Sequence, residues 1–318
     1  MGVTCSVIVP VYNEAEVLEQ SYGRLRTVME GIGGSYELIF VNDGSADAST
    51  GILRGICAAD PHCRAIFFSR NFGHQTAVTA GIDAACGDAV VIIDADLQDP
   101  PELIPVMLEQ WRAGKKVVYG KRIERKGETA FKKLTASVFY RVLASLSETE
   151  IPTDAGDFRL IDREICELLR NMPEHNRYLR GMIAWVGFEQ AAVEYVRDER
   201  AAGVTKYTLK KMLRLAEDGL VSFSSKPLRF ALGSGVVVCA VSAAAALLTL
   251  ILNLAGVTEV SGLYFLGWAL MFVVGLTQIF LGIVGMYISR ICDEVRGRPR
   301  YIASERIGFG EAGKDGEE

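Results

Sequence analysis

The feature that most constrains this chain is a pair of long uncharged apolar segments near its carboxyl end. No charged residue occurs in 230–258 or in 260–289, and Glu259 alone separates the two segments. Each segment is longer than the roughly 20 apolar residues that span a bilayer. We therefore expect two transmembrane helices within residues 228–290, joined by a short loop near 257–262. Two buried helices of a soluble protein are the alternative, but globular helices of that length lack so continuous an apolar surface.

The charges beside these segments predict their orientation. Lys226 and Arg229 precede the first segment and four arginines follow the second between residues 290 and 300, whereas the connecting loop carries only Glu259. Basic residues favour the cytoplasmic side of a membrane, so we expect a multi-pass protein of the inner (cytoplasmic) membrane with both termini in the cytoplasm. Because the amino terminus has no basic region followed by an apolar core, we expect no cleaved signal peptide. The odd number of cysteines, seven, agrees with a reducing compartment.

Before these segments, short apolar runs alternate with helical patterns. The expected strands lie at 5–14, 36–43, 64–69 and 88–93. Such alternation predicts an α/β fold, in which a parallel sheet carries helices on both faces. We assign residues 1–205 to a cytoplasmic domain, 206–227 to a juxtamembrane amphipathic helix and 291–318 to a cytoplasmic tail that is frayed from Tyr301 onward.

Polar residues follow each of the four expected strands. They are Tyr12-Asn13-Glu14, Asn42-Asp43-Gly44-Ser45, the stretch 70–74, and Asp94-Ala95-Asp96 with Gln98. One acidic residue at a strand end is usually a helix cap or part of a turn, but ligands of parallel sheets bind beyond the carboxyl ends of the strands. Carboxylate and amide oxygens suit a hard cation such as Mg²⁺. The repetition therefore predicts a site for a metal and a phosphorylated ligand at this edge of the sheet.

Basic residues cluster elsewhere in the chain. They lie in a loop after Gly120 (Lys121, Arg122, Arg125 and Lys126), on a helix at 176–188 (Arg177 and Arg180) and at four-residue spacing in Lys206, Lys210 and Arg214. The last group is typical of an amphipathic helix in the lipid headgroup layer, where each cation contributes about 1 kcal/mol; a solvated helix face is the alternative. The overall balance of 34 Lys+Arg against 39 Asp+Glu, a net charge of −5, does not indicate a nucleic-acid partner.

These motifs together resemble a known family. "VIVPVYNE", "VNDGSADAS", "SRNFGHQTAVTAGID" and "DADLQDPPELIP" are similar to the motifs of glycosyltransferase family 2. "GDFRLID", the arginine-bearing helix, "GVTKYTLKKMLRLAEDG" and the apolar pair resemble its polyisoprenyl-phosphate glycosyltransferases, a group that includes dolichol-phosphate mannose synthases and bacterial undecaprenyl-phosphate sugar transferases. The resemblance implies a nucleotide-sugar transferase (GT-A-like) fold, with a mixed sheet, helices on both faces and a carboxyl-terminal two-helix transmembrane hairpin.

The resemblance also implies roles for individual residues. The nucleobase and ribose would be bound by Pro10, Tyr12, Glu14 and Asp43. Asp94, Asp96 and Gln98 would hold Mg²⁺ or Mn²⁺ and the donor diphosphate, with Asp96 and Asp157 counted as catalytic. The acceptor and its phosphate would be bound by Arg122, Arg125, Arg159, Arg200 and Lys206. Plain structural roles stay open for Pro10, as a strand end, and for Arg159, in a salt bridge.

The implied reaction transfers one sugar, with inversion, from a nucleotide sugar to polyisoprenyl (undecaprenyl) phosphate. A lipid phosphate, with a second pKa of about 6, is already anionic near neutral pH, so Asp157 either positions the acceptor or takes a residual proton. UDP-glucose is the favoured donor, while GDP-mannose and UDP-modified arabinose remain alternatives. Glycine-rich apolar segments allow close helix packing. They are therefore compatible with a homo-oligomer such as a tetramer.

Three other functions are open to a chain of this pattern. A processive polysaccharide synthase would carry a Gln-x-x-Arg-Trp motif, which "EQWRAG" does not match. A membrane protein that binds nucleotide sugars on a decayed transferase fold is disfavoured by the intact Asp94, Asp96 and Asp157, because decay usually removes such residues. A flippase role for the hairpin is disfavoured, since neither apolar segment contains an ionisable residue to line a path.

Overall fold

The computed structural model of the protein describes residues 4–122, 155–175, 177–196 and 262–309. These residues belong to two compact units. The first unit contains the three amino-terminal ranges together with residues 299–309, and the second contains a long carboxyl-terminal helix.

The first unit is built on one mixed β-sheet. Its strands are β1 Cys5–Val11, β2 Tyr36–Asn42, β3 Cys63–Phe68, β4 Ala89–Ile92, β5 Val117–Arg122, β6 Ala155–Asp162, β7 Gln190–Tyr195 and β8 Ala303–Ile307. The helices of the described chain are α1 Leu18–Ile32, α2 Ser49–Ala59, α3 His74–Ala84, α4 Ile104–Arg112, α5 Arg163–Asn171, α6 Leu179–Trp185 and, in the second unit, α7 Gly262–Val295. A 3₁₀ turn at Pro101–Leu103 precedes α4.

The strand order is β7-β5-β6-β4-β1-β2-β3-β8. The four central strands, β4, β1, β2 and β3, are mutually parallel. β6 runs antiparallel to both β4 and β5, and β8 runs antiparallel to β3. Every residue of β1, β2 and β4 is buried, as expected for strands that are covered on both faces. The carboxyl ends of the central strands therefore meet at a single edge.

Helices cover both faces of the sheet, as the sequence predicts. Alternate residues of a strand point to opposite faces, so Val7 and Val9 join the core cluster that includes Leu25 of α1 and Met107 of α4. Ile8 points to the other face, where it lies against Gly81 of α3. The sheet is thus the middle layer of a three-layer α/β domain.

The packing of α3 on β1 depends on Gly81. A Cβ added at Gly81 would lie 2.2 Å from Cγ2 of Ile8, which has no room to move inside the sheet. We expect Gly81→Ala to lower the free energy of unfolding by about 1–3 kcal/mol through overpacking. Gly55→Ala on α2 is the matched control, because nothing lies within 4 Å of the added carbon there. Thermal unfolding of the two variants tests this, and equal melting temperatures would contradict so close an approach.

The structure corrects three expectations. The sheet is mixed, as the family resemblance implies, and not parallel throughout, as the alternation alone predicts. Lys121 and Arg122 belong to β5 and not to a loop. The prediction of a frayed tail from Tyr301 is wrong, because Ala303–Ile307 forms β8 against β3. Neither β7 nor β8 shows a clear strand pattern in the sequence, since their residues are half-exposed for the most part.

The predicted membrane segments are described only in part. The first segment and the juxtamembrane helix at 206–227 lie outside the described residues. The helix α7, of 34 residues, begins within the second segment and ends beyond it. In the ranges that the structure describes, no helix combines the length and the apolar character that a bilayer crossing requires.

Candidate active site

The loops after β1 and β2 bind each other at the sheet edge. The backbone N–H of Asn13 donates to Oγ of Ser45 (3.0 Å), and Oδ1 of Asn13 accepts from the N–H of Ala46 (2.8 Å). The N–H of Glu14 donates to Oγ of Ser49 (3.1 Å). Asn13 has a left-handed backbone, with φ of 55°, which asparagine tolerates better than most residues. These bonds fix the short loop that presents the half-exposed ring of Tyr12.

Asp43 links the exits of β2 and β3. Its carboxylate is 3% exposed and accepts hydrogen bonds from the N–H of Phe72 (2.6 Å), the N–H of Gly73 (3.0 Å) and Nδ2 of Asn71 (2.9 Å). Burial raises the pKa of Asp43 above its usual value, although the two backbone N–H groups oppose that change. Gly44 follows with φ of +64°, and a Cβ there would lie 2.4 Å from the carbonyl carbon of Arg70. Asp43 therefore holds the 70–73 loop against the exit of β2.

The exit of β4 turns sharply within the motif Asp94-Ala95-Asp96-Leu97-Gln98. Oδ1 of Asp96 accepts from the N–H of Gln98 (3.1 Å), and Asp96 is 7% exposed. Leu97 is left-handed, with φ of 61°, a conformation that costs of the order of 1–3 kcal/mol in a non-glycine residue. The hydroxyl of Tyr195 on β7 donates to Asp99, which is buried. Strain of this kind concentrates at functional sites, which agrees with the role expected of this turn.

Asp94 forms an ion pair with a histidine that was not among the predicted site residues. Nε2 of His74, the first residue of α3, lies 2.9 Å from Oδ1 of Asp94. Partial burial disfavours the charged ring, but the carboxylate of Asp94 and, less strongly, that of Asp157 outweigh it and raise the pKa of His74 to about 9. His74 is therefore a cation at neutral pH. The sequence places it at a strand exit, but nothing in the sequence connects it with Asp94.

Asp157 lies beside Asp94 because of the register of β4 and β6. Ile92 and Arg159 are the last paired residues of these antiparallel strands, and two positions after Ile92 and two positions before Arg159 are Asp94 and Asp157. Arg180 of α6 binds Asp157 through two nitrogens, at 2.8 Å to Oδ1 and 3.0 Å to Oδ2. The predicted donor-side and acceptor-side carboxylates thus come together at one edge of the sheet, together with two cations.

The ion pair decides what Asp157 can do chemically. Burial alone would raise the pKa of Asp157, but the Arg180 guanidinium, with smaller contributions from His74 and Arg159, holds that pKa well below its usual range. Such a carboxylate is a weak base, which favours a positioning role over proton abstraction. Burial lowers the pKa of Arg159 to about 10, while Asp157 opposes that change, so Arg159 stays charged at neutral pH.

The raised pKa of His74 predicts how stability depends on pH. Because the pKa in the folded protein, about 9, exceeds the unfolded value of about 6.5, the contribution is complete below pH 6.5 and is lost as the pH rises through 9. The His74 side chain is 40% exposed, so solvent screening keeps this contribution small. We expect the melting temperature of the wild type to fall toward that of His74→Gln between pH 6.5 and 9.5, measured in EDTA. A difference that stays constant over that range would contradict the assigned ion pair.

The oxygen ligands at the exit of β4 fit a divalent metal that is shared with a substrate. Among the described residues, no three His, Cys, Asp or Glu side chains converge to hold a metal. However, Mg²⁺ in phosphate sites usually takes only one or two protein carboxylates and fills its shell with phosphate oxygens and water. Asp94 and Asp96, with the amide of Gln98, are ligands of that kind. The residues present therefore fit a metal that binds together with a diphosphate.

The other predicted site residues lie at different places in the domain or outside the described residues. Pro10 is buried as the penultimate residue of β1, opposite Val41 of β2. Arg159 is 4% exposed and donates to the carbonyl of Gly156 (2.8 Å), so it is both a structural residue and a neighbour of Asp157. Arg122 ends β5 opposite Tyr195 in backbone register. Arg125, Arg200 and Lys206 lie outside the described residues.

The two arginines of the 176–188 stretch have different surroundings. Arg180 binds Asp157, as described above. Arg177 is 8% exposed, and its Nη2 donates to the carbonyls of Leu169 (2.8 Å) and Met172 (2.6 Å) at the end of α5. These bonds satisfy carbonyls that a helix end leaves without partners. Arg177 therefore has a structural role in this arrangement, and Arg180 is the cation at the site.

A carboxylate-rich edge beyond parallel strands is where α/β enzymes bind their ligands, and comparison with known proteins identifies the class. Residues 6–170 match glycosyl transferase family 2. A Bacillus subtilis (strain 168) protein named uncharacterized glycosyltransferase YkcC is 49% identical over 96% of this chain and 94% of its own. The chain belongs to glycosyl transferase family 2 and is a glycosyltransferase, so the predicted resemblance is confirmed.

The chain is also similar to a named glucosyl transferase and to a solved structure. The bactoprenol glucosyl transferase of Shigella phage SfII is 40% identical over 93% of this chain and 96% of its own. Among solved structures, glucosyl-3-phosphoglycerate synthase from Mycobacterium tuberculosis, in complex with Mn²⁺, UDP-glucose and phosphoglyceric acid, is 20% identical, with a TM-score of 0.46 over 69% of this chain and 78% of that one.

Proposed function

We propose that this glycosyltransferase transfers one sugar from a nucleotide sugar to polyisoprenyl (undecaprenyl) phosphate at the cytoplasmic face of the membrane. UDP-glucose is the favoured donor. The observation that carries the proposal is the convergence of Asp94, His74, Asp157 and Arg180 at the exit of β4. This arrangement has carboxylates for the donor side and fixed cations for a second anionic substrate. The similarity to a bactoprenol glucosyl transferase over 93% of the chain supports the choice of acceptor.

Each residue of the site has a definite task in such a transfer. Asp96 and Asp94 would hold Mg²⁺ or Mn²⁺ together with the donor diphosphate, and such an ion would supply positive charge to the leaving nucleoside diphosphate. Arg180 and Arg159 keep the acceptor phosphate beside Asp157 by charge. The phosphate oxygen is already anionic and needs no strong base, in agreement with the low pKa of Asp157. In-line attack on the anomeric carbon then inverts its configuration.

The exposed side chains of α7 support a location in the membrane. Six large apolar residues along this helix, spaced over seven turns, are between 49 and 66% exposed: Leu266, Leu270, Phe272, Leu281, Ile288 and Ile291. An apolar surface of this extent is expected to contact lipid or another helix. We propose that this exposed apolar surface of α7 is embedded in lipid, so that the acceptor lipid and the catalytic domain share one membrane. Retention of the protein in membranes washed with alkaline carbonate tests this assignment.

The reaction is tested with the full-length protein in detergent. Purified protein is incubated with undecaprenyl phosphate, Mn²⁺ or Mg²⁺ and a single donor: UDP-glucose, GDP-mannose or a UDP-modified arabinose. Mass spectrometry then detects the lipid-linked sugar, and NMR of the product gives its anomeric configuration. We expect product from one donor, UDP-glucose, with a β linkage. Nucleotide-sugar binding without product from any donor would instead indicate a non-catalytic binding protein.

A further inference from the structure

The chain returns to the catalytic sheet after α7. The return segment, residues 299–309, contains β8, which pairs with the outer edge of β3. The backbone N–H of Ser69 donates to the carbonyl of Ile302 (3.0 Å), so the pairing reaches the first residue beyond β3. Nη2 of Arg300 donates to the carbonyl of Met172 (2.6 Å) and fixes the start of the segment. The return segment is therefore bound beside the 70–73 loop, which contacts Asp43.

Aromatic rings connect the return segment with that loop. The ring of Tyr301 stacks on Phe68, with centroids 4.9 Å apart and planes at 22°. Phe68, the last residue of β3, meets Phe72 edge-on at 5.6 Å. The guanidinium of Arg70 lies over the ring of Phe72, 4.0 Å from its centroid. Three rings in contact thus run from Tyr301 to the residue whose backbone N–H binds Asp43.

The position of Phe72 matters because its backbone is part of the Asp43 contact. The N–H groups of Phe72 and Gly73 bind the Asp43 carboxylate, and Asp43 directly follows β2 at the expected nucleotide site. Displacement of the Phe72 side chain is transmitted to its backbone, because only two residues separate Phe72 from Ser69, whose N–H is bonded to Ile302. The Tyr301 ring stacks on Phe68 and so limits movement of the Phe68 ring, against which Phe72 packs.

We propose that Tyr301 is a positioning residue for nucleotide binding. Through Phe68 and Phe72 it holds the 70–73 loop in the conformation in which the loop binds Asp43. The proposal rests on the proposed function, because the ligand in question is the nucleotide of the donor. The return segment would thereby help to form the expected nucleotide site, whose other residues come from the first half of the sequence.

The test compares three variants of the full-length protein. Tyr301→Ala removes the stacked ring, Tyr301→Phe keeps it, and Glu305→Gln breaks the ion pair of Glu305 with Arg54 (2.6 Å), which lies in the same segment but away from the loop. Calorimetry gives the Kd for UDP and for GDP with Mn²⁺. Hydrogen exchange of the Phe72 and Gly73 amides reports the Asp43 contact without any ligand. If Tyr301→Ala fails to fold, Tyr301→Leu, which fills the same space, replaces it.

We expect Tyr301→Ala to weaken nucleotide binding by about 5- to 10-fold, the factor that corresponds to one aromatic pair. Exchange at Phe72 and Gly73 should rise, while exchange in β1 stays unchanged and Tyr301→Phe resembles the wild type. Equal Kd values and equal exchange for Tyr301→Ala and Glu305→Gln would overturn the proposal. A wild type that binds neither UDP nor GDP would contradict the proposed function, and the exchange data would still decide the role of Tyr301.

Discussion

Asp157→Asn should reduce the rate constant of sugar transfer by about 10²- to 10³-fold, the size of effect seen when a preorganised charged group is removed from an active site. Asparagine keeps the shape of the side chain but loses the charge that Arg180 and Arg159 face. Those two guanidiniums then lack their carboxylate, and the acceptor phosphate loses its defined position between them. The affinity for UDP should change little, because Asp157 lies on β6 and not in the loops that form the expected nucleotide site. Single-turnover kinetics with the lipid acceptor and calorimetry with UDP measure the two quantities.

Loss of stability must be separated from loss of chemistry in this experiment. The side chains of Asp157 and Arg180 are only 17% and 23% exposed, so removal of one partner leaves a poorly solvated charge and costs about 3–5 kcal/mol. The double variant Asp157→Asn/Arg180→Gln removes both charges and should recover much of the stability without recovering transfer. If instead Asp157→Asn retains most of its activity once it is shown to be folded, Asp157 has no role beyond the ion pair.

Asp96→Asn should abolish metal-dependent transfer, with a loss of about 10²-fold or more, as expected for the removal of a preorganised electrostatic contact. The reason is that Asp96 is the buried carboxylate of the strained turn after β4, where it is expected to hold the metal with Asp94. UDP binding should at the same time become insensitive to Mn²⁺, which calorimetry with and without the ion measures directly. The asparagine retains the oxygen that accepts from the N–H of Gln98, so the turn itself should persist.

Asp88→Asn is the matched control for Asp96→Asn. Asp88 precedes the same strand at its amino end, and its side chain is 61% exposed, so the substitution should change neither transfer nor metal dependence. Equal activity of Asp96→Asn and Asp88→Asn would remove Asp96 from the metal site. An Asp96→Asn protein that still binds UDP more tightly with Mn²⁺ would move the metal to Asp94.

The sequence predicted the central part of the site because of a geometric rule. Parallel strands share one edge for their carboxyl ends, so polar residues after β1, β2, β3 and β4 had to lie near one another once the alternation of elements was recognised. The same rule gives no information about which side chains pair. The bonds from His74 to Asp94 and from Arg180 to Asp157 join residues 20 and 23 positions apart, and they depend on where α3 and α6 begin.

The edges of the sheet were harder to predict for a different reason. A buried central strand shows a continuous apolar run, whereas β8 has the sequence ASERI, with three consecutive polar residues, and reads as a polar tail. Its partner β3 lies more than 230 residues earlier, as the bond from Ser304 to Phe67 shows. Periodicity is a local property, so it cannot indicate a partner at that distance. The prediction of a frayed tail failed for this reason.

The return of the chain to β3 also has a consequence for solubility. Without β8, the six residues of β3, CRAIFF, would present unpaired N–H and C=O groups along an apolar edge, and such an edge pairs readily with strands of other molecules. β8 is short and carries Glu305 and Arg306, features that disfavour further strand addition. Proteins shortened before residue 299 should therefore self-associate through β3, whereas a tag added after residue 309 leaves the natural edge of the sheet intact.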